Sequence, residues 1–148
     1  MRTISSTIDI DAPASAVWDV LMDFESHPHW NPFIREIRGD ARVGSRLRVR
    51  IGPPGRRAMT FRPRVLAATP NRELRWVGRF LAPGLFDGEH AFELTETSPT
   101  TCRLTQSETF RGLLVGFAGS TLDATAQGFD EMNHALRRRA ESIAEPAG

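Results

Sequence analysis

Between residues 33 and 110 the sequence alternates between apolar and polar side chains with a period close to two. This period is typical of strands that bury one face, so it predicts strands over most of the chain. Turn-forming residues separate the runs at residues 39–40, 52–55, 70–71, 82–84 and 98–99. The pattern therefore predicts a one-sided antiparallel sheet, in which Pro63 marks an edge or a bulge.

Helical patterns stand on both sides of this region. The predicted strands are 3–10, 33–38, 43–51, 57–67, 73–80, 86–95 and 102–110. Two short helical segments follow the first strand, and apolar residues at helical spacing predict a long helix from about Ser120 to Ala144. We expect an α+β protein with a curved antiparallel sheet of about seven strands around this C-terminal helix. A length of 148 residues suits a single domain over residues 1–148.

The charged residues exclude several kinds of chemistry, because all 19 basic residues are arginine. Eleven of them lie in residues 41–80 beside one acid, Glu73, so this segment carries +10 and the remainder −9. Without lysine the chain has no Schiff-base chemistry and no phosphate-loop lysine. Its single cysteine, Cys102, cannot form an internal disulfide, and no apolar run has the length of a signal peptide or membrane helix. We expect a cytoplasmic protein without a cofactor, of open oligomeric state.

Three polar residues interrupt the apolar faces of the last two predicted strands: His90, Gln106 and Glu108. A turn at residues 97–99 places His90 opposite Gln106, whereas a turn at residues 98–100 places it opposite Glu108. The faces match in both registers, so we predict that the three side chains form one cluster.

Three roles for this cluster stay open. An isolated buried carboxylate costs on the order of several kcal/mol, so Glu108 has to be paired, neutral or beside water, and His90 could pair with it. The cluster could be a self-satisfied network that stabilises the strand pair. It could instead orient a ligand through His90 and Gln106, or act as a general acid and base through His90 and Glu108.

Four stretches resemble a known superfamily. They are IDIDAPASAVWDVLMDFESHPHWNPF at 8–33, GEHAFEL at 88–94, CRLTQSETFRGLL at 102–114 and QGFDEMNHALRRRAE at 127–141. The chain is identified from them as a member of the START/SRPBCC superfamily, most similar to its polyketide cyclase/dehydrase and lipid-transport branch. The resemblance implies the helix-grip fold, with a cavity between the sheet and the long helix that opens near residues 111–119 and the strand turns.

Three functional hypotheses follow. The first is binding of a small hydrophobic or aromatic molecule in this cavity. Its predicted ligand-binding residues are Trp76, Phe86, His90, Phe92, Gln106, Glu108, Phe129, Met132, Asn133 and Leu136. The second is a polyketide cyclase or dehydratase with His90 and Glu108 as catalytic residues. The third is an interaction module that uses an arginine-rich outer sheet face formed by Arg46, Arg48, Arg50, Arg62 and Arg64.

Other ligands are not expected. His27 and His29 lie two residues apart beside Trp30 but lack an evident third ligand, so we predict a solvent-facing turn and no metal site. The arginine-rich face has no interleaved aromatic residues, so we expect no nucleic-acid partner.

Overall fold

The computed structural model describes residues 1–80, 82 and 84–144, in which one strand, two short helices and seven further strands precede one long helix. The helices are α1 (Ala14–Met22), α2 (His27–Trp30) and α3 (Gly119–Ala144), with 3-10 turns at Phe24–Ser26 and Val115–Phe117. The strands are β1 (Arg2–Ile10), β2 (Ile34–Arg38), β3 (Arg48–Ile51), β4 (Met59–Phe61), β5 (Arg64–Thr69), β6 (Glu73–Phe80), β7 (Phe86–Ser98) and β8 (Thr101–Arg111). The predicted α+β class is confirmed.

The strands form two antiparallel sheets. The larger sheet is curved and has the order β1-β8-β7-β6-β5, and the smaller has the order β2-β3-β4. Each neighbouring pair is antiparallel, as the one-sided alternation predicts. In β1 the three isoleucines Ile4, Ile8 and Ile10 are buried, which matches the predicted apolar face.

The single strand predicted over residues 57–67 is interrupted at Pro63. Its first part, β4, pairs with β3, and its second part, β5, pairs with β6. Proline has no amide hydrogen for a sheet ladder, so a change of partner at this point is expected. The Leu47 amide still donates to the Pro63 carbonyl at 2.9 Å, and Val65 exchanges bonds with Gly44 and Ser45, so backbone hydrogen bonds join the two sheets. Val43, the first residue of the predicted strand 43–51, is exposed and lies before β3.

Helix α3 packs chiefly against β1 and α1. Its buried residues are Leu122, Gly128, Phe129, Met132, Asn133, Ala135, Leu136 and Ala140. They reproduce most of the predicted stripe, although Ile143 is exposed. The helix begins at Gly119, one residue before the predicted start at Ser120, and Asp123 pairs with Arg2 at 2.7 Å. This packing leaves the N-terminal part of α3 opposite β3, β4 and β6, where the cavity lies.

Candidate functional site

The pairing of β7 with β8 decides between the two predicted registers. His90 lies opposite Glu108, and Phe92 lies opposite Gln106. A bulge between Glu96 and Ser98 absorbs the difference at the turn. The predicted cluster therefore forms, with Glu108 as the cross-strand neighbour of His90 and Gln106 as its hydrogen-bond partner.

A directed chain of hydrogen bonds fixes the proton on His90. Asn133 donates from Nδ2 to the Ser6 carbonyl at 3.2 Å, and Gln106 donates from Nε2 to Asn133 Oδ1 at 2.8 Å. Because a backbone carbonyl can only accept, both amides are oriented by it, and Gln106 turns Oε1 toward His90 Nε2 at 2.9 Å. His90 therefore carries a proton on Nε2, and its other nitrogen, Nδ1, takes no part in this chain of hydrogen bonds.

His90 Nδ1 faces the carboxyl group of Glu108. The atom is buried, lies 3.4 Å from Glu108 Oε1, and has no hydrogen-bond partner within the described residues. An unprotonated Nδ1 and a carboxylate oxygen are both acceptors, so these two atoms can be joined only through a proton that one of them carries. Glu108 is 16% exposed and His90 is 1% exposed, so the carboxyl group is the more accessible end of this pair.

Aromatic rings enclose the imidazole of His90. The ring centroids of Trp76, Phe92 and Phe129 lie 5.1, 4.7 and 5.0 Å from it. These rings and the hydrogen-bonded chain fill the space around His90 on the core side. His90 is therefore separated from the cavity by Glu108 and Trp76, which both lie on the cavity wall.

A cavity of about 380 Å³ lies beside this cluster. Its wall comes from β3, β4, β6, β7, β8 and the first turns of α3, and most of the lining side chains are apolar. Among them are Phe33, Ile51, Phe61, Trp76, Phe86 and Phe110. Glu108 is the only carboxylate on the described wall. The geometry thus combines an apolar chamber with one carboxyl group that is backed by a buried imidazole.

Two glycines form part of this wall. Gly78 of β6 and Gly88 of β7 pair with each other across the sheet. A Cβ on Gly78 would meet only Pro63 at 4.0 Å, whereas a Cβ on Gly88 would overlap the carboxyl group of Glu108. The glycine pair therefore leaves the sheet surface open and makes room for Glu108.

The predicted ligand-binding residues occupy two positions relative to the cavity. Trp76, Phe86 and Glu108 lie on its wall. The other seven are buried in the core behind that wall: His90, Phe92, Gln106, Phe129, Met132, Asn133 and Leu136. Alternation and helical spacing identify which face is buried, but they do not distinguish a side chain at a cavity surface from one packed beneath it.

Several wall residues were missed by sequence reasoning. Arg56 and Arg57 reach the cavity from the β3–β4 loop, and Thr121 and Thr125 reach it from α3. The sequence did contain a signal for an open wall at Gly78 and Gly88. A glycine within a strand often marks the close approach of a ligand or another chain segment.

The histidine pair near α2 has a structural role. His27 is fully buried, which contradicts the predicted solvent-facing turn, whereas His29 is exposed. The His27 Nε2–H donates to the Leu21 carbonyl at 2.8 Å, and Nδ1 accepts from Asn31 at 3.1 Å. Burial lowers the pKa of His27, while the bond to Leu21 and the charge of Asp23 act in the opposite direction. No group of three metal-ligating side chains occurs among the residues described.

Three further predictions concern other parts of the chain. Cys102 is buried, and burial raises the pKa of its thiol to about 11, which suits a core residue. The five arginines of the arginine-rich outer face are exposed, and a partner for this face stays a prediction. Within the described residues, none of the helices combines the length and apolarity needed to cross a membrane.

The comparisons with known proteins agree with the fold and the order of elements. Residues 1–141 match the family described as polyketide cyclase / dehydrase and lipid transport. No curated protein matches the sequence.

Solved structures with this fold include proteins of different names. A START superfamily protein from Mycobacterium smegmatis is 21% identical with a TM-score of 0.76, over 95% of this chain and 98% of that one. The Zhui aromatase/cyclase from a Streptomyces species is 18% identical with a TM-score of 0.78, over 99% and 98%. A norcoclaurine synthase point mutant from Thalictrum flavum is 15% identical with a TM-score of 0.73, over 97% and 96%. These identities show the fold alone, whereas the family match covers nearly the whole chain. The chain belongs to the polyketide cyclase/dehydrase and lipid-transport family.

Proposed function

We propose that this protein binds a small hydrophobic or aromatic molecule in the cavity between the sheet and α3. The supporting observation is an apolar chamber with a single carboxyl group on its described wall. Its volume of about 380 Å³ falls within the roughly 300–1,000 Å³ that is usual for small-molecule sites. Trp76, Phe86 and Phe110 would supply contact area, and Glu108 would hydrogen-bond a hydroxyl or carbonyl group of the ligand.

The residues behind the wall would position Glu108 rather than touch the ligand. His90 faces the carboxyl group, and Gln106 and Asn133 hold His90 in one tautomer. Phe92, Phe129, Met132 and Leu136 would support the aromatic wall from the core. This assignment keeps the predicted cluster at the site but gives most of its members an indirect role.

Filling the cavity tests the proposal. Gly78→Leu should place a side chain in the chamber without a backbone clash, because a Cβ at this position has ordinary clearance. We expect saturable fluorescence of N-phenyl-1-naphthylamine and thermal shifts with at least one of the flavonoid, polyketide, sterol or fatty-acyl classes. Gly78→Leu should weaken the observed binding roughly tenfold or more, a loss of about 1.4 kcal/mol.

The matched control is Val77→Leu, which adds an apolar group on the opposite face of the same strand. It should bind the probes as the parent protein does. No binding of any class to the parent protein, or full binding to a folded Gly78→Leu variant, would count against the proposal.

A second candidate function is proton transfer in a cyclase or dehydratase. The favouring observation is the unpaired, buried Nδ1 of His90 beside the wall carboxyl of Glu108. The Glu108 carboxylate would take a proton from a carbon between two carbonyl groups, and that carbon would bond to a third carbonyl. The proton would then pass to the resulting alkoxide, with Nδ1 able to hold it in between. The fold also occurs in an aromatase/cyclase and a norcoclaurine synthase.

This second candidate predicts a separation of turnover from binding. His90→Ala should abolish turnover of a poly-β-carbonyl substrate and leave binding of N-phenyl-1-naphthylamine largely intact, because His90 lies behind the wall. An unchanged rate in His90→Ala would exclude the proton-transfer role.

A further inference from the structure

The mouth of the cavity carries positive charge. Arg56 and Arg57 lie on the β3–β4 loop, are exposed to solvent, and line the cavity. The loop turns through Gly55, which has a φ of 70°, and the Arg56 amide donates to the Pro53 carbonyl at 3.0 Å. Both guanidinium groups therefore belong to a short loop that is held by a hydrogen-bonded turn, on the solvent side of an apolar cavity.

A third arginine lies next to this loop. Arg35 of β2 packs against Gly52, since its Nε is 3.1 Å from the position that a Cβ on Gly52 would occupy. Arg35 is also exposed. The three arginines 35, 56 and 57 are called the mouth arginines below.

The mouth arginines have no carboxylate partner within the described residues. In the part of the chain that the structure describes, six other arginines do have a carboxylate within 4.0 Å, and the most extensively paired is Arg75, which lies 3.1 Å from Glu73 and 3.2 Å from Glu89. The one carboxyl group on the described cavity wall, Glu108, faces His90 instead. Arg56 and Arg57 therefore add two cations to the described wall, and neither forms an ion pair with the single acid there.

We propose that the cavity selects apolar molecules that carry a compact oxyanion, either a carboxylate or a phosphate ester, and that Arg56 and Arg57 bind that group. This inference rests on the proposed binding function and names the class of ligand. The planar guanidinium group presents paired donors that match the oxygens of both anions. The apolar body of the ligand would occupy the chamber, and Arg35 would add to the positive potential at the mouth.

Competition with matched ligands tests the inference. Decanol, decanoate and decyl phosphate share one apolar chain, so their ability to displace N-phenyl-1-naphthylamine isolates the effect of the head group. They would be compared below their micelle-forming concentrations. We expect at least one of the two anions to displace the probe at a roughly tenfold lower concentration than decanol, and this advantage should shrink as salt increases. The anion that displaces the probe at the lower concentration shows whether the site prefers a carboxylate or a phosphate ester.

Two double variants locate the effect. R56Q/R57Q should remove most of the anion advantage, measured as the ratio between the displacing concentrations of decanol and of the anion, so that a change common to all three ligands cancels. R62Q/R64Q removes two exposed arginines of the arginine-rich outer face and should retain the full advantage.

The outcomes separate this inference from the binding function. If N-phenyl-1-naphthylamine does not bind the parent protein, the proposed binding function fails, and the inference fails with it. If the probe and decanol bind but neither anion is favoured, or if R56Q/R57Q keeps the anion advantage, the inference is overturned and the binding function stands.

Discussion

A single backbone carbonyl, that of Ser6, determines which ring nitrogen of His90 donates, although three hydrogen bonds separate the two residues. The Ser6 carbonyl accepts from Asn133, Asn133 accepts from Gln106, and Gln106 accepts from His90. Each amide has one donating end and one accepting end, so reversing any member would bring two donors or two acceptors together. The direction of this chain keeps the second nitrogen of His90 available to Glu108.

The same chain explains why buried polar residues are tolerated in an apolar layer. Gln106 and Asn133 are fully buried, and each has both an accepted and a donated hydrogen bond. Unpaired groups at these positions would each cost about 1–3 kcal/mol. Nδ1 of His90 is the atom of this cluster that has no hydrogen-bond partner in the described part of the chain, and it lies beside the cavity-wall carboxyl of Glu108.

At the scale of elements, α3 meets the strand side of the fold through a close contact at Gly128. A Cβ on Gly128 would overlap the ring of Phe33, which is buried, lines the cavity and stacks edge-on against Phe129 at 5.5 Å. The contact therefore couples the position of the helix to the cavity wall.

Gly128→Ala should destabilise the protein although alanine is the better helix former. The gain in helix propensity is roughly 0.5–1 kcal/mol, whereas overpacking of a filled core costs about 1–3 kcal/mol. We expect a net loss of about 0.5–2 kcal/mol in the free energy of unfolding, measured by urea denaturation.

Repeating Gly128→Ala in a Phe33→Leu variant separates the gain in helix propensity from the cost of overpacking. In Phe33→Leu the smaller side chain should accommodate the new methyl group, so Gly128→Ala should there be neutral or stabilising. Equal destabilisation in both backgrounds would contradict the assigned contact.

The secondary-structure elements and the pairing of β7 with β8 could be predicted more completely than the cavity between the elements. The order of helices and strands, the buried stripe of α3 and the His90–Gln106–Glu108 cluster follow from periodicity, because side-chain direction is fixed by backbone period. The break at Pro63 was predicted only as an edge or a bulge, because its outcome depends on which strands accept the freed backbone groups.

For the whole molecule, the family and the helix-grip fold were predicted from the sequence and are confirmed. The cavity wall was predicted only in part. Its open surface depends on Gly78 and Gly88, which have no side chain that could appear in a hydrophobic pattern. Its positive charge comes from Arg56 and Arg57 of the β3–β4 loop, where no regular alternation of apolar and polar residues indicates a direction. His27 was misassigned for a related reason, because a polar residue beside proline resembles a surface turn until tertiary packing buries it.

The burial of His27 has a consequence for the stability of the whole molecule. Its neutral imidazole bridges Leu21 and Asn31, and Asn31 Oδ1 accepts from the amides of Phe33 and Ile34 at 2.9 Å each. Protonation would place a second donor on Nδ1 against the Asn31 amide group. This agrees with the burial that lowers the pKa of His27 in the folded state.

The protein should therefore lose stability on acidification below about pH 6.5, the ordinary pKa of histidine. Between that value and the lower folded pKa of His27 the unfolded chain binds a proton that the folded chain does not, so the free energy of unfolding falls as pH falls. One such group contributes at most about 1.4 kcal/mol per pH unit. Urea denaturation from pH 7.5 to 5.5 should show a smaller slope for His27→Gln than for the parent protein, because glutamine does not titrate. The exposed His29→Gln control should keep the parent slope, and an unchanged slope in His27→Gln would refute the assignment.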